Sequence, residues 1–554
     1  MEVPAPIAVA RPARRPLGAL GVAAIVAAAL IVVPLAAVVV SAAAPGAAAT
    51  WQHLGATVLP GYIADTLLLV TLVAAGVTST GVLTAWLTTH YRFPLARVLD
   101  WALILPLAMP AYVMAYAYTD WLQFSGPVQT ALRALTGWKA GDYGFPEIRS
   151  LGGAAAMFSF ALYPYVYVLA RAAFLAQSRS ALEAARLAGH GAAGSFARVA
   201  LPLARPAIAA GIALALMEVL ADFGTVSYFA VQTFTTGIYR AWLSLGDAAA
   251  AAQLATCLVA FVAVILALER ATRGRARYYA TSPQRTPPER LRGVRAALAA
   301  GVCLAPVVAG FLLPAGILLD LALTDPDARW GPRMNTLIGN SFALAGTTAL
   351  AAVAVATLLA YAARLTRRAG VARANRVASL GYAIPGAVIA VGILLPLGRL
   401  DNLFADWVHD RYGVRIGLLV TGSIAALIYA YLVRFLAVAL QAVDAGLAKV
   451  TPSMEDAARS LGATPARTLA RVHAPMLAGS LLTAALLVFV DVMKELPATF
   501  ALRPFNYDTL AIEAYNLTKD ERLAEAAVPA LVIVAVGLVP LFVVSRQLAR
   551  MRNG

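Results

Sequence analysis

The chain has 554 residues, 61% of them apolar and 13% charged, with a mean hydropathy of +0.76 and a formal net charge of +16. No soluble domain hides that much apolar surface, so composition excludes an ordinary globular protein and specifies a polytopic membrane protein. Most of the arginines fall in short loops between apolar runs, so the charge reports topology and excludes nucleic acid as the expected partner.

Taken in order, residues 1–16 form a Pro-, Ala- and Arg-rich tail. The apolar run that follows, from 17 to 44, is longer than the ~7–15-residue core of a secretory signal, which predicts a retained first span. Further spans are expected at 62–88, 98–119, 151–172, 206–228 and 248–268, giving a first half at 17–268. Residues 269–296 form a basic, Pro-containing linker. The second half, 297–545, gives spans at 297–320, 338–362, 376–398, 416–440, 476–499 and 525–544, and 546–554 is a short tail. The fold class is therefore all-α, with about twelve transmembrane helices. With the N-terminus inside, the segments assigned to the cytoplasm hold 31 Lys or Arg and the external ones 12, with Lys494 inside a span. That bias places both termini in the cytoplasm. Cys257 and Cys303 lie far apart in apolar spans, and the five histidines are scattered singly, so no disulfide framework or metal-ligand set is assigned.

The two halves repeat one another. Asp65-Thr66 aligns with Asn340-Ser341 and Pro110 with Pro385, at an offset of 275 residues; Glu218 aligns with Asp491 and Asp222 with Glu495, at 273. Six spans per half is an even number, so the repeats run parallel, unlike the inverted repeats of many secondary transporters. Two stretches on the cytoplasmic side share the 273-residue offset: Glu183-Ala184-Ala185 through Gly189 to Pro202, and Asp456-Ala457-Ala458 through Gly462 to Pro475. Alanine favours helix and glycine ends it, which predicts a short helix, a turn and a second helix. An ordinary amphipathic surface helix is the bland reading of one such stretch. Two copies with equal spacing on the same side favour a socket for a soluble partner.

Glu218 and Asp222 are four residues apart and share a helix face, as do Asp491 and Glu495, with Lys494 added. Counting from the inner end of the span, Glu218 and Asp222 stand roughly 20 and 25 Å up, in the outer half of the bilayer. Two readings are open: a carboxylate-lined vestibule that receives a cation, or an interhelical pair of Lys494 with Glu218 or Asp222. Gly224 and Pro497 occupy equivalent positions just beyond the acids and predict that both spans unwind near the outer surface. Pro106, Pro110, Pro164 and Pro385 predict kinks, and the tyrosines at 112, 116, 118, 163, 165 and 167 are expected to anchor span ends at the membrane interface.

Glu183, Ala184, Ala185, Gly189, Leu201 and Pro202 are similar to the cytoplasmic loop of the inner-membrane permeases of binding-protein-dependent ABC importers. The second copy departs from that pattern at Asp456 and Ala474. Asp222-Phe223-Gly224-Thr225, Lys494 through Thr499 and the twelve-span layout resemble more closely the fused two-half ferric iron permeases. Related permeases for thiamine, phosphonates or other anions share the architecture. The resemblance implies two parallel six-helix repeats of the importer type in the bacterial inner membrane. It implies two cytoplasmic ATPase subunits docked on the loops 180–204 and 453–475, and a periplasmic substrate-binding protein. The acids, with Gly224, Lys494 and Pro497, would then belong to the translocation path or its gate. No Gly-x-x-x-x-Gly-Lys-Ser/Thr motif occurs in the chain, so ATP and Mg are expected on the partner ATPase, with no cofactor on this chain and no enzyme activity of its own. An ion-coupled secondary transporter is the alternative from another class.

Overall fold

A bilayer leaves an apolar chain few ways to satisfy its backbone N–H and C=O groups, and every candidate span among the described residues uses the helical one. The computed structural model describes residues 18–44, 47–177, 183, 185, 187–273, 288–328, 330–366 and 368–553. The tail 1–16, linker residues 274–287 and Ala184 lie outside the described residues. Among those described, eleven helices are long and apolar enough to cross a membrane. A bent pair, Ala96–Ala108 with Ala111–Thr136 at 92°, is either a broken twelfth span or a re-entrant loop.

The two repeats share local backbone events as well as helix count. In the first half a 3₁₀ turn, Leu105–Ala108, leads into Pro110 (φ −59°, ψ 140°), and a new helix starts at Ala111. In the second half a 3₁₀ turn, Ser379–Ala383, leads into Pro385 (φ −58°, ψ 142°), and a helix starts at Gly386. Each proline has an extended ψ that no helix interior allows, and each carbonyl accepts the N–H four residues on at 3.1 Å. The expected kinks at Pro110 and Pro385 are therefore helix boundaries.

Three of the expected spans end or begin elsewhere. The helix expected from 416 starts only at Ile424. The Asp401 carboxylate accepts the N–H groups of Val420 and Thr421, at 2.6 Å for the shorter Thr421 contact, and Gly422 takes φ +82°, so this stretch turns before it can coil. The spans expected at 206–228 and 476–499 are each interrupted, after Ala221 and after Met493.

The compact units of the molecule do not follow the sequence halves. One unit comprises 1–33, 347–382 and 431–489; the other comprises 34–346, 383–430 and 490–554. In the larger unit, helices Leu59–His90, Leu151–Ala176 and Leu201–Ala221 pack at close range on small residues. A Cβ at Gly81 would lie 2.8 Å from the Val166 Cβ, and one at Gly211 would lie 2.7 Å from the Val166 Cα. Second-half helices join this unit too: Gly386–Tyr412 packs on Ala248–Arg273, and Leu523–Asn553 packs on the turn Leu105–Ala108. In the smaller unit, Arg364 donates to the carbonyls of Leu447 and Val450, both at 2.6 Å, satisfying backbone acceptors at the end of helix Ile424–Leu447.

Five of the six tyrosines expected at the interface are inside the protein, and Tyr165 is half-buried. Tyr112, Tyr116, Tyr118, Tyr163 and Tyr167 are all buried. Three of them turn the phenol to a partner: Tyr118 to the Ala309 carbonyl at 2.7 Å, Tyr112 to the Lys494 carbonyl at 3.4 Å, and Tyr167 to Asp100. Asp100 also accepts from Nε and Nη2 of Arg171, at 2.5 and 2.6 Å. A buried tyrosine needs such a partner for its hydroxyl. The interface expectation failed because nearness to a span end in sequence says nothing about which helix face meets lipid.

Candidate functional site

The two repeated stretches fold alike. In the first, Glu183 and Leu187 are exposed, Ala185 is buried and Gly189 takes φ +82°. In the second, Asp456 and Ala457 are exposed, Ala458 is buried and Gly462 takes φ +75°. The N–H of the residue after each glycine reaches back five residues, His190 to Ala185 and Ala463 to Ala458, both at 3.0 Å. This is the Schellman closure, which needs a left-handed residue where glycine stands. A Cβ at either glycine would meet nothing within 4 Å, so glycine serves the backbone angle and not a lack of space. One stretch lies in the larger unit and the other in the smaller.

Sequence reasoning missed the element just beyond each turn. Phe196–Ala200 and Leu469–His473 are both one π-helical turn, again 273 residues apart. Each runs into a long helix, Leu201–Ala221 or Ala474–Met493, that carries Pro202 or Pro475 in its first turn. The signal was in the sequence: a proline ring crowds the carbonyl four residues back, and a widened turn just before it relieves that crowding.

At the far ends of these two helices lie the intramembrane acids. Helix Leu201–Ala221 stops, and a short helix, Gly224–Tyr228, begins. The Asp222 carboxylate accepts the N–H of Thr225 at 2.8 Å, that of Val226 at 3.3 Å and the Thr225 hydroxyl at 3.2 Å. Helix Ala474–Met493 stops likewise, and Pro497–Leu502 begins. The Glu495 carboxylate accepts the N–H of Ala498 at 2.8 Å, that of Thr499 at 3.0 Å and the Thr499 hydroxyl at 2.6 Å. Both acids thus satisfy N–H groups that a helix start leaves without partners. An acid two residues ahead of a helix breaker, with threonine three or four residues on, is the sequence pattern that could have revealed this.

Gly224 is needed where it stands, because a Cβ there would lie 2.7 Å from the Tyr112 Cβ and 2.8 Å from a Leu496 methyl. The Tyr239 hydroxyl donates to the Pro497 carbonyl, so a first-half side chain holds the second-half break. Phe223 and Tyr239 from the first half pack in tilted and edge-on contacts with Phe500 and Tyr515 from the second, with ring centroids 5.3 to 5.8 Å apart across the halves. Ser227 and Tyr515 share a hydroxyl contact at 3.0 Å. All these residues belong to the larger unit.

Lys494 pairs first within its own segment: its Nζ lies 3.0 Å from Asp491 Oδ1, one turn away. Glu218 and Tyr165 lie within its electrostatic reach. The structure therefore brings Glu218, Asp491 and Lys494 into one neighbourhood, while Asp222 and Glu495 serve the helix starts. Among the described residues, no group of three or more His, Cys, Asp or Glu side chains is arranged to hold a metal ion.

Two segments of the chain, 77–277 and 352–553, match the model of a family described as binding-protein-dependent transport system inner membrane component. The Fe(3+)-transport system permease protein FbpB 2 of Haemophilus influenzae is 25% identical over 490 residues, covering 87% of this chain and 89% of that protein. The sulfate transport system permease protein CysT of Salmonella typhimurium is 30% identical over 166 residues, 29% of this chain and 57% of that protein. A Haloferax volcanii protein described as "probable molybdenum ABC transporter permease protein" is 32% identical over 166 residues, again 29% of this chain and 57% of that protein.

Proposed function

The chain belongs to the binding-protein-dependent transport system inner membrane component family, and from that premise we propose that this ABC-importer permease subunit carries ferric iron. The observation that supports iron is the reach of the similarity. The iron permease aligns along both halves of this chain, whereas the sulfate and molybdenum relatives align over less than a third of it. In this reading the chain lies in a bacterial inner membrane with both termini in the cytoplasm, as the loop charges ask.

Two ATPase subunits dock on the turns around Gly189 and Gly462, and a periplasmic binding protein delivers cargo to the opposite face. ATP and Mg stay on the ATPases. Each turn is closed by its own backbone bond and leads through a π turn into one long helix. A push on the turn therefore travels along that helix to its broken far end. There Asp222 and Glu495 hold the breaks, with Gly224 and Pro497 starting the short helices beyond, and the Phe223, Tyr239, Phe500 and Tyr515 cluster closes the path as a gate. Glu218, Asp491 and Lys494, on the inner side of the breaks, line the path along which cargo passes.

The test is uptake by proteoliposomes containing this chain, its ATPase and its binding protein, supplied with ferric iron, sulfate, molybdate or thiamine in turn. Iron uptake that needs both ATP and the binding protein is the expected result. Uptake of another solute without iron would overturn the cargo and leave the importer standing. Uptake that ignores the ATPase and follows a proton gradient would overturn the ATP-driven mechanism.

A further inference from the structure

One feature belongs to neither repeat. The end of the inter-half linker is stitched to the first loop between spans. Tyr91–Arg92 and Glu289–Arg290 pair as two parallel strands, with Tyr91 opposite Glu289 and Arg92 opposite Arg290. The Leu291 N–H extends the stitch by donating to the Arg92 carbonyl at 2.9 Å. Among the described residues this is the one strand pair, and the second half shows no counterpart to it.

The register sets two arginines directly across from each other, and like charges so placed repel. Arg92 and Arg290 are both exposed, as are Arg97, Arg292 and Arg295 on the flanking segments. Helix Gly293–Val307 packs against Ala96–Ala102, so the segments that carry these five cations lie side by side and form one basic ledge of backbone. The acids within it are Glu289 and Asp100, and Asp100 is already bound by Arg171. The same ledge exposes apolar side chains: Val294 is 76% exposed, Leu298 63%, Leu95 59% and Trp101 42%. Cations interleaved with exposed apolar groups at the edge of a span fit a phospholipid, with its phosphate among the arginines and its acyl chain along the apolar side chains. The positive-inside bias puts arginines on this side of the membrane, but it does not bring a linker and a loop together.

We propose that the Arg92–Arg290 ledge binds the headgroup of an anionic phospholipid from the cytoplasmic leaflet. The ligand offsets the repulsion built into the stitch and anchors the linker end to the first half. This rests on the orientation given under the proposed function.

The test uses the purified full-length chain in detergent, with retained phosphatidylglycerol and phosphatidylethanolamine counted by native mass spectrometry. Each arginine near an anionic lipid contributes about five-fold in affinity, so the triple change R290Q/R292Q/R295Q should remove phosphatidylglycerol by an order of magnitude or more. The matched change R368Q/R373Q/R376Q, in the second half's loop segment, should lower it less than about two-fold. If the triple variant does not insert, Arg292→Gln alone should still give about a five-fold loss. Equal losses in both triple variants would mean that total charge governs binding, and would overturn the ledge. So would phosphatidylglycerol retained in the ledge variant. Displacement by millimolar inorganic phosphate would show a free-anion site and overturn the lipid. Labelling of Arg292→Cys by a membrane-impermeant maleimide from one side or the other reads the orientation separately, so a wrong topology and a missing lipid site give different results.

Discussion

The two broken spans make the same backbone event with different side chains. At the first break the acid is Asp222, half-buried, and the short helix opens on glycine. At the second the acid is Glu495, buried at 5% exposure, and the short helix opens on proline. The longer Glu side chain reaches the same two N–H groups and a threonine hydroxyl, and Thr225 and Thr499 supply that hydroxyl from positions one residue out of register. The two turns below show the same pattern: the left-handed glycine and the five-residue closure are kept, while the exposed leucine shifts from Leu187 to Leu461, one place nearer its glycine. Duplication has preserved where the backbone bends and how its polar groups are satisfied. It has let the contacts around those bends diverge.

The comparison is tested hardest at the positions that open the short helices. Gly224→Ala puts a Cβ into Tyr112 and Leu496, and overpacking of this kind costs about 1–3 kcal/mol. Pro497→Ala introduces no clash and loses the proline's restraint on the unfolded chain, about 0.4–1 kcal/mol, with a little buried ring surface. Thermal unfolding in detergent should therefore fall further for Gly224→Ala, and its uptake should be the more impaired. The reverse order would mean that the two openings are not packed as they stand.

The acids come next. Removing a cap costs about 0.5–2 kcal/mol, so Glu495→Ala, the buried case, should lie toward the upper end and Asp222→Ala toward the lower. Asp222→Asn keeps an acceptor and removes the charge. If Asp222 only holds the break, that variant imports at close to the unchanged rate; a collapse of uptake with unchanged unfolding would make the carboxylate a cargo contact.

At the turns, a side chain at φ near +80° costs about 1–2 kcal/mol, and asparagine tolerates this angle better than other residues. Gly189→Val and Gly462→Val should each lower transport per ATP hydrolysed, and the Asn variants should retain most of it. Because neither site is crowded, the two valine variants should be equally damaging, and a large difference would show that the ATPases load the turns unequally.

The smallest change in stability is expected for Leu187→Ser and Leu461→Ser. These side chains are 90% and 87% exposed, so unfolding should move by no more than about 0.5 kcal/mol while affinity for the ATPase falls. ATPase binding measured at equilibrium on each variant gives the contribution of each turn.

Much of this architecture was legible in the chain itself, for physical reasons. Apolar runs of bilayer length can only become spans, a duplicated Ala-Ala-x-x-x-Gly stretch can only close through a left-handed glycine, and a breaker beyond an acid ends a helix. Those are local rules, satisfied within a few residues. The tertiary structure decided which face of each helix met lipid and which met protein, and so buried Tyr112, Tyr116 and Tyr163, which sequence alone places at an interface. It brought Lys494 against Asp491 with Glu218 of the other half in reach, drew second-half helices into the same compact unit as the first half, and laid Arg290 opposite Arg92. Each of those outcomes depends on residues distant in sequence arriving side by side, which no local period encodes.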